Sequence, residues 1–138
     1  MLEDVKINVK IKLSLLWVVL VFFYLYNDVI SFFRRETIEI VLSGEVPGGI
    51  QITQTFLFAM AILMAIPIFM IFLSLALPAK VNRWVNIIVG IFHAVVLVTF
   101  FVLVPGETVA HYALYQILEA VFIVLIVWHA WKWPKQEG

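Results

Sequence analysis

Four long apolar runs dominate the chain: Leu13–Phe33, Thr55–Leu77, Trp84–Val104 and Val109–His129. About 20 helical residues at ~1.5 Å each cross a hydrocarbon layer about 30 Å thick, so each run predicts a membrane-spanning α-helix. The breaks between them have turn chemistry. Val46-Pro47-Gly48-Gly49 and Pro105-Gly106 read as turns, Pro78 should end the second helix, and Asn82 and Thr108 are candidate N-caps for the third and fourth. The first run follows Lys6, Lys10 and Lys12, as a secretory leader would, but it is too long and meets no small-x-small cleavage site. It is expected to stay as a span.

Between the first and second spans, Ile38, Val41 and Leu42 recur at helical spacing beside Glu36 and Glu39, with Gly44 placed to end the segment. This pattern predicts a short helix lying on the outer membrane surface, a strand being the alternative. No internal repeat or low-complexity tract is visible, so residues 1–138 form one domain. Short connections make consecutive spans antiparallel neighbours. The expected fold is an all-α, up-down-up-down membrane four-helix bundle with a short interfacial helix after the first span.

Composition agrees with that pattern and adds direction. With 64% hydrophobic and 13% charged residues, the chain has too little polar surface to coat a water-soluble globule. Nine Lys and Arg balance nine Asp and Glu, so there is no basic field for nucleic acid, and the absence of cysteine excludes disulfides and thiolate chemistry. Lys6, Lys10, Lys12, Lys80, Arg83, Lys132 and Lys135 fall on one side of the spans and only Arg34 and Arg35 on the other. The positive-inside rule then predicts a multi-pass protein of the cell (inner) membrane with both termini cytoplasmic. Trp84, Trp128, Trp131 and Trp133 would sit at the inner interface.

Polar residues inside the spans carry whatever chemistry there is. Counting ~1.5 Å per residue from the outer end, Asp28 lies roughly 8 Å deep, Gln116 roughly 10 Å, Glu119 roughly 15 Å and His93 roughly 16 Å. Tyr24, Asn27, Asp28 and Ser31 follow the i, i+3, i+4, i+7 pattern on the first span, as do Tyr112, Tyr115, Gln116 and Glu119 on the fourth. A carboxylate at mid-bilayer costs about 2.5–3.5 kcal/mol even on the insertion scale, so Asp28 and Glu119 are expected to face the bundle interior or a wet cavity. The matched depth of His93 and Glu119 predicts a hydrogen-bonded pair, directly or through one water. Alternatively, Glu119 is protonated and acts as a donor.

Each of these residues also has a purely structural reading, because interhelical hydrogen bonds hold membrane helices together. That reading suits Asn86, Gln54, Thr99 and Ser74; an acid is a poorer choice for it, which sets Asp28 and Glu119 apart, with His93 between the two readings. Pro67 removes a backbone donor in the middle of the second span and should kink it, and the kink either opens a pocket or serves packing. His111 and His129 read as interfacial, and Met60, Met64 and Met70 as core filler. His93, Glu119 and Asp28 share no metal-motif spacing, so no metal is expected, and no cofactor fingerprint is visible.

Leu2-Glu3-Asp4-Val5-Lys6-Ile7, Lys12-Leu13-Ser14-Leu15-Leu16-Trp17, Ile62-Leu63-Met64-Ala65-Ile66-Pro67, Val81-Asn82-Arg83-Trp84-Val85-Asn86-Ile87-Ile88 and Trp128-His129-Ala130-Trp131-Lys132-Trp133-Pro134 resemble an uncharacterised family of small prokaryotic membrane proteins. That resemblance covers nearly the whole chain and implies the fold, with no catalytic residue to carry over. More distantly, Asp28 late in the first span, Pro67 in the second and His93 in the third resemble the DoxX-like four-helix proteins and the sterol-isomerase and sigma-2-receptor group. This second resemblance implies a membrane-embedded pocket for a sterol or cationic amphiphile.

Four functions compete. The first is binding of a small amphiphile, lipid or quinone in a pocket of the outer half bounded by the first and fourth spans. Trp17, Phe23, Phe92 and Phe122 would wall it, and Asp28, His93, Glu119, Gln116, Tyr112, Tyr24 and Asn27 would line it. The second is an enzyme in which His93 and Glu119 move a proton on a lipid or sterol-like substrate. The third is a homo-oligomeric transporter using the acids as a relay, ranked lower because no discontinuous helix pair or inverted repeat is seen. The fourth is assembly with another membrane protein.

Overall fold

The computed structural model describes residues 1–103 and 109–135. Its elements are α1 (Val9–Ser31), α2 (Arg35–Ser43), a small hairpin of β1 (Glu45–Val46) and β2 (Ile50–Gln51), α3 (Gln54–Ala76), α4 (Ala79–Leu103) and α5 (Ala110–Trp131). Helices α1, α3, α4 and α5 are each long and apolar enough to cross a membrane. The all-α bundle is therefore as expected. Residues 6–10, the start of α4 at Ala79 and Trp133–Pro134 lie together at one end of it, and α2 with the hairpin follows the other end of α1; these are called here the terminal end and the loop end.

Helix boundaries follow local chemistry. Helix α1 starts four residues earlier than the apolar run because the Asn8 side chain accepts a hydrogen bond from Lys10 N at 2.8 Å and caps it. Thr53 caps α3 in the same way, accepting from Phe56 N at 3.1 Å. At the other end of α3, Leu77 precedes Pro78 and is held extended, with φ −73° and ψ 146°, which stops the helix. Pro67, buried within α3, leaves it one continuous element.

Asn82 is not an N-cap. Helix α4 begins at Ala79, directly after Pro78, and Asn82 lies inside its first turn with no exposure at all. Its Nδ2 donates to Ser74 O at 2.7 Å and to Leu77 O at 3.2 Å, satisfying carbonyls at the end of the preceding helix. Thr108, the other expected cap, lies outside the described residues.

The short loop-end helix appears as predicted. Helix α2 is stopped by Gly44 at φ 75°, a left-handed conformation that glycine adopts without strain. Its Arg35 and Glu39 pair one turn apart at 2.7 Å, while Ile38, Val41 and Leu42 are exposed. The turn at Pro47-Gly48-Gly49 turned out to join two paired strands, Glu45 opposite Gln51 and Val46 opposite Ile50, that the sequence pattern was too short to reveal.

The spans do not pack evenly. Helix α1 lies against both α3 and α5, and α4 against α5, whereas α3 and α4 approach each other much less closely despite being consecutive. The core is formed by Leu13, Trp17, Leu20, Met70, Ile87, Ile123, Ile126 and Ala130. Helices α4 and α5 come together at Gly90, where an added Cβ would lie 2.7 Å from Val127 Cγ2.

Candidate functional site

Two polar clusters occupy the bundle, and they differ in how their hydrogen bonds close. On α4, Asn82, Asn86, Gly90 and His93 share one helical face, so the clusters lie one above the other.

The cluster toward the terminal end is satisfied throughout. Trp17 Nε1 donates to Asn86 Oδ1 at 2.7 Å, and Ser74 Oγ donates to the same oxygen at 3.3 Å. Asn86 Nδ2 donates to Asn82 O and Oδ1 at 3.0 and 2.7 Å. Ser14 Oγ joins α1 to α3 through Ile71 O at 2.8 Å. Asn86 and Ser74 thus hold helices together, as their structural reading anticipated. Gln54 and Thr99 do not: Gln54 is exposed, and Thr99 Oγ1 bonds back to Val95 O on its own helix at 2.7 Å.

The cluster toward the loop end is not closed in this way. His93 is 1% exposed, surrounded by the rings of Trp17, Tyr24 and Phe92, with Trp17 edge-on at 6.0 Å between centroids. The Tyr24 hydroxyl and His93 Nδ1 are 3.4 Å apart, a long hydrogen bond. Among the described residues, His93 Nε2 and Glu119 Oε1 have no partner, although Glu119 is only 3% exposed, and half-buried Asn27 leaves its Oδ1 unpaired as well. Gln116 and Tyr112 are half-buried one and two turns beyond Glu119 toward the loop end. There Arg34 lies over the Tyr112 ring at 5.7 Å, and His111 stacks on it at 4.4 Å.

His93 is bonded to Tyr24, and among the described residues it makes no direct hydrogen bond or ion pair with Glu119, so of the two forms expected for that pair the direct one is not seen. One expectation needs correcting. Asp28 is exposed rather than turned to the interior. At 3.6 residues per turn it stands roughly 60° around α1 from Ser31, at the edge of the stripe that Tyr24, Asn27 and Ser31 direct inward.

The seam between α1 and α5 is filled by rings: Phe23 meets Phe122 at 5.4 Å and Tyr115 at 5.7 Å. Two surface grooves lie elsewhere, one at the terminal end beside Lys6, Asn8 and Trp133, the other on α4 and α5 near Trp128 and Trp131. Neither is lined by Asp28, His93 or Glu119.

Four spanning-length helices around buried polar clusters define a helical membrane protein. The chain belongs to a family of unknown function (DUF6326), whose model matches residues 3–138. No curated protein and no solved structure matches it. The resemblance to DoxX-like and sterol-isomerase proteins gains no support from these comparisons, and no residue role is carried over from it.

Proposed function

We propose that the protein binds the polar head of a small amphiphile, lipid or quinone in the loop-end half of the bundle. His93 Nε2 and the Glu119 carboxyl would hold the head, Tyr24 would orient the imidazole, and Asn27, Asp28, Gln116 and Tyr112 would line the way to the loop end. What carries the reading is the contrast between the clusters. Asn82, Asn86, Trp17 and Ser74 form a closed set of bonds, while His93 and Glu119 each keep an unpaired buried atom among the described residues. A group left unpaired in hydrocarbon costs several kcal/mol, about as much as a hydrogen-bonding ligand can return. The looser approach of α3 to α4 favours entry from the lipid on that side.

A titration of the purified protein with a short-chain quinone, a lysolipid and a long-chain alkylamine, followed by thermal shift and direct binding, tests this reading. One class should stabilise the wild type, and Glu119→Gln should weaken its binding about tenfold or more, since a charge-assisted hydrogen bond is worth about 1.5–3 kcal/mol. Asp28→Asn, at the exposed edge, should matter less. If none of the three stabilises the wild type, the reading fails.

One observation favours a second reading, proton transfer on a bound lipid. The Tyr24 hydroxyl lies 3.4 Å from Nδ1 of the buried His93, whose Nε2 stays unpaired among the described residues, so two titratable groups meet at the proposed site. Turnover of a bound lipid lost in His93→Gln, with binding retained, would favour it over binding alone.

For orientation we infer cytoplasmic termini in the cell (inner) membrane, because seven of the nine Lys and Arg belong to the terminal end. Reporter fusions at the C-terminus and within the loop of residues 44–53 should report cytoplasmic and external positions respectively; the opposite pattern would reverse the assignment.

A further inference from the structure

The exposed side of the α4–α5 seam carries a groove of about 370 Å³ lined by Ile91, Ala94, Val124, Val127, Trp128 and Trp131, among others. Its walls are hydrocarbon and indole. Along α5 it spans Ile123 to Trp131, about 12 Å at 1.5 Å per residue. Trp131, which closes its terminal end, also serves as a plate for Arg83, whose Cζ lies 5.4 Å from the Trp131 ring and 5.4 Å from that of Trp84.

Arg83 is held in place from several sides. Its Nε donates to Ala130 O at 3.2 Å and its Nη2 to Trp131 O at 3.3 Å, capping the carbonyl end of α5. A guanidinium has five N–H donors, so these two bonds leave three for another acceptor. Among the described residues Arg83 has no carboxylate partner. A fixed fork of donors, without a carboxylate among the described residues, therefore stands where an apolar groove ends among tryptophans, the residues that favour the membrane interface.

We propose that this is a binding site for an anionic phospholipid, with an acyl chain in the groove and the phosphate on Arg83. The phosphate would meet the planar fork suited to it, and the chain would cover surface that has only lipid to face. A second copy of the chain is a poorer occupant. Close helix association in membranes relies on small residues, and here Gly90 is already spent inside the α4–α5 contact, leaving a groove walled mainly by Val, Ile and Trp. The site is separate from the His93–Glu119 cluster.

The test uses the purified full chain in detergent, with thermal shift and native mass spectrometry read against phosphatidylglycerol, phosphatidylcholine and inorganic phosphate. Phosphatidylglycerol should raise the melting temperature more than phosphatidylcholine, and inorganic phosphate should leave it unchanged. Val124→Trp, which fills the groove and leaves the Arg83 bonds alone, should weaken phosphatidylglycerol binding at least tenfold. Arg83→Gln removes the charge, and should bring the two lipids to equal effect. Glu119→Gln should bind phosphatidylglycerol as the wild type does, which separates failure here from failure of the proposed polar-head site. Equal shifts from both lipids in the wild type, full binding by Val124→Trp, or a shift reproduced by inorganic phosphate would overturn the proposal. So would a change of oligomeric state in Val124→Trp, which would assign the groove to a second copy.

Discussion

Trp17→Ala should lower stability by about 3–5 kcal/mol, the range for deleting a large buried aromatic. Trp17 has no exposure and packs in the centre of the core, with its ring edge against His93 and its Nε1 on Asn86. Apolar burial gives membrane helices little drive to associate, so the lost packing contacts are the larger part of that cost. Trp17→Phe separates the two contributions. It keeps most of the ring and loses the hydrogen bond, yet Asn86 Oδ1 still accepts from Ser74, so the expected cost is only about 1 kcal/mol. Equilibrium unfolding of both variants in mixed micelles measures the difference. Equal losses would mean that the hydrogen bond, and not the packing, holds this level of the bundle together.

Asn86→Leu should cost about 2–6 kcal/mol, because it leaves Trp17 Nε1 and Asn82 Oδ1 without partners at about 1–3 kcal/mol for each orphaned group, and takes the acceptor from Ser74 Oγ as well. Single interhelical hydrogen bonds in membrane proteins average about 0.6 kcal/mol, so a loss of that size would show that the neighbours rearrange to find new partners. The same unfolding measurement decides between these outcomes. Leucine has the same branched heavy-atom skeleton as asparagine, which makes the substitution a test of polarity more than of shape.

The spans were legible because length and hydropathy alone determine whether a helix can cross a bilayer, and the Gly44 stop and the Pro78 break are local chemistry written in single residues. The partners of the buried polar residues were not. Asn82 sits where a helix cap is expected from sequence, yet it serves the end of the preceding helix, because the tight turn after Leu77 brings Ser74 and Leu77 carbonyls within its reach. The depth count carried no information about rotation, and rotation assigned Tyr24 to His93 and moved Asp28 to the edge. Arg83 read only as one of several interfacial cations. Its contacts with Ala130 and Trp131 join segments 47 and 48 residues apart, a relation that no local pattern expresses.

The bonds from Asn82 to α3, from Ser14 to α3 and from Arg83 to α5 all lie toward the same end of the molecule. Mechanically, the bundle is a set of rods clamped at one end. Small rotations at the clamp grow into larger displacements with distance along each rod, and α3 and α4, which approach each other least closely, have the most freedom to part. Thermal motion should therefore widen and narrow the region around His93 and Glu119 while the Asn82–Asn86 level keeps its shape, so that the polar groups with unpaired atoms lie in the part of the protein that moves most easily.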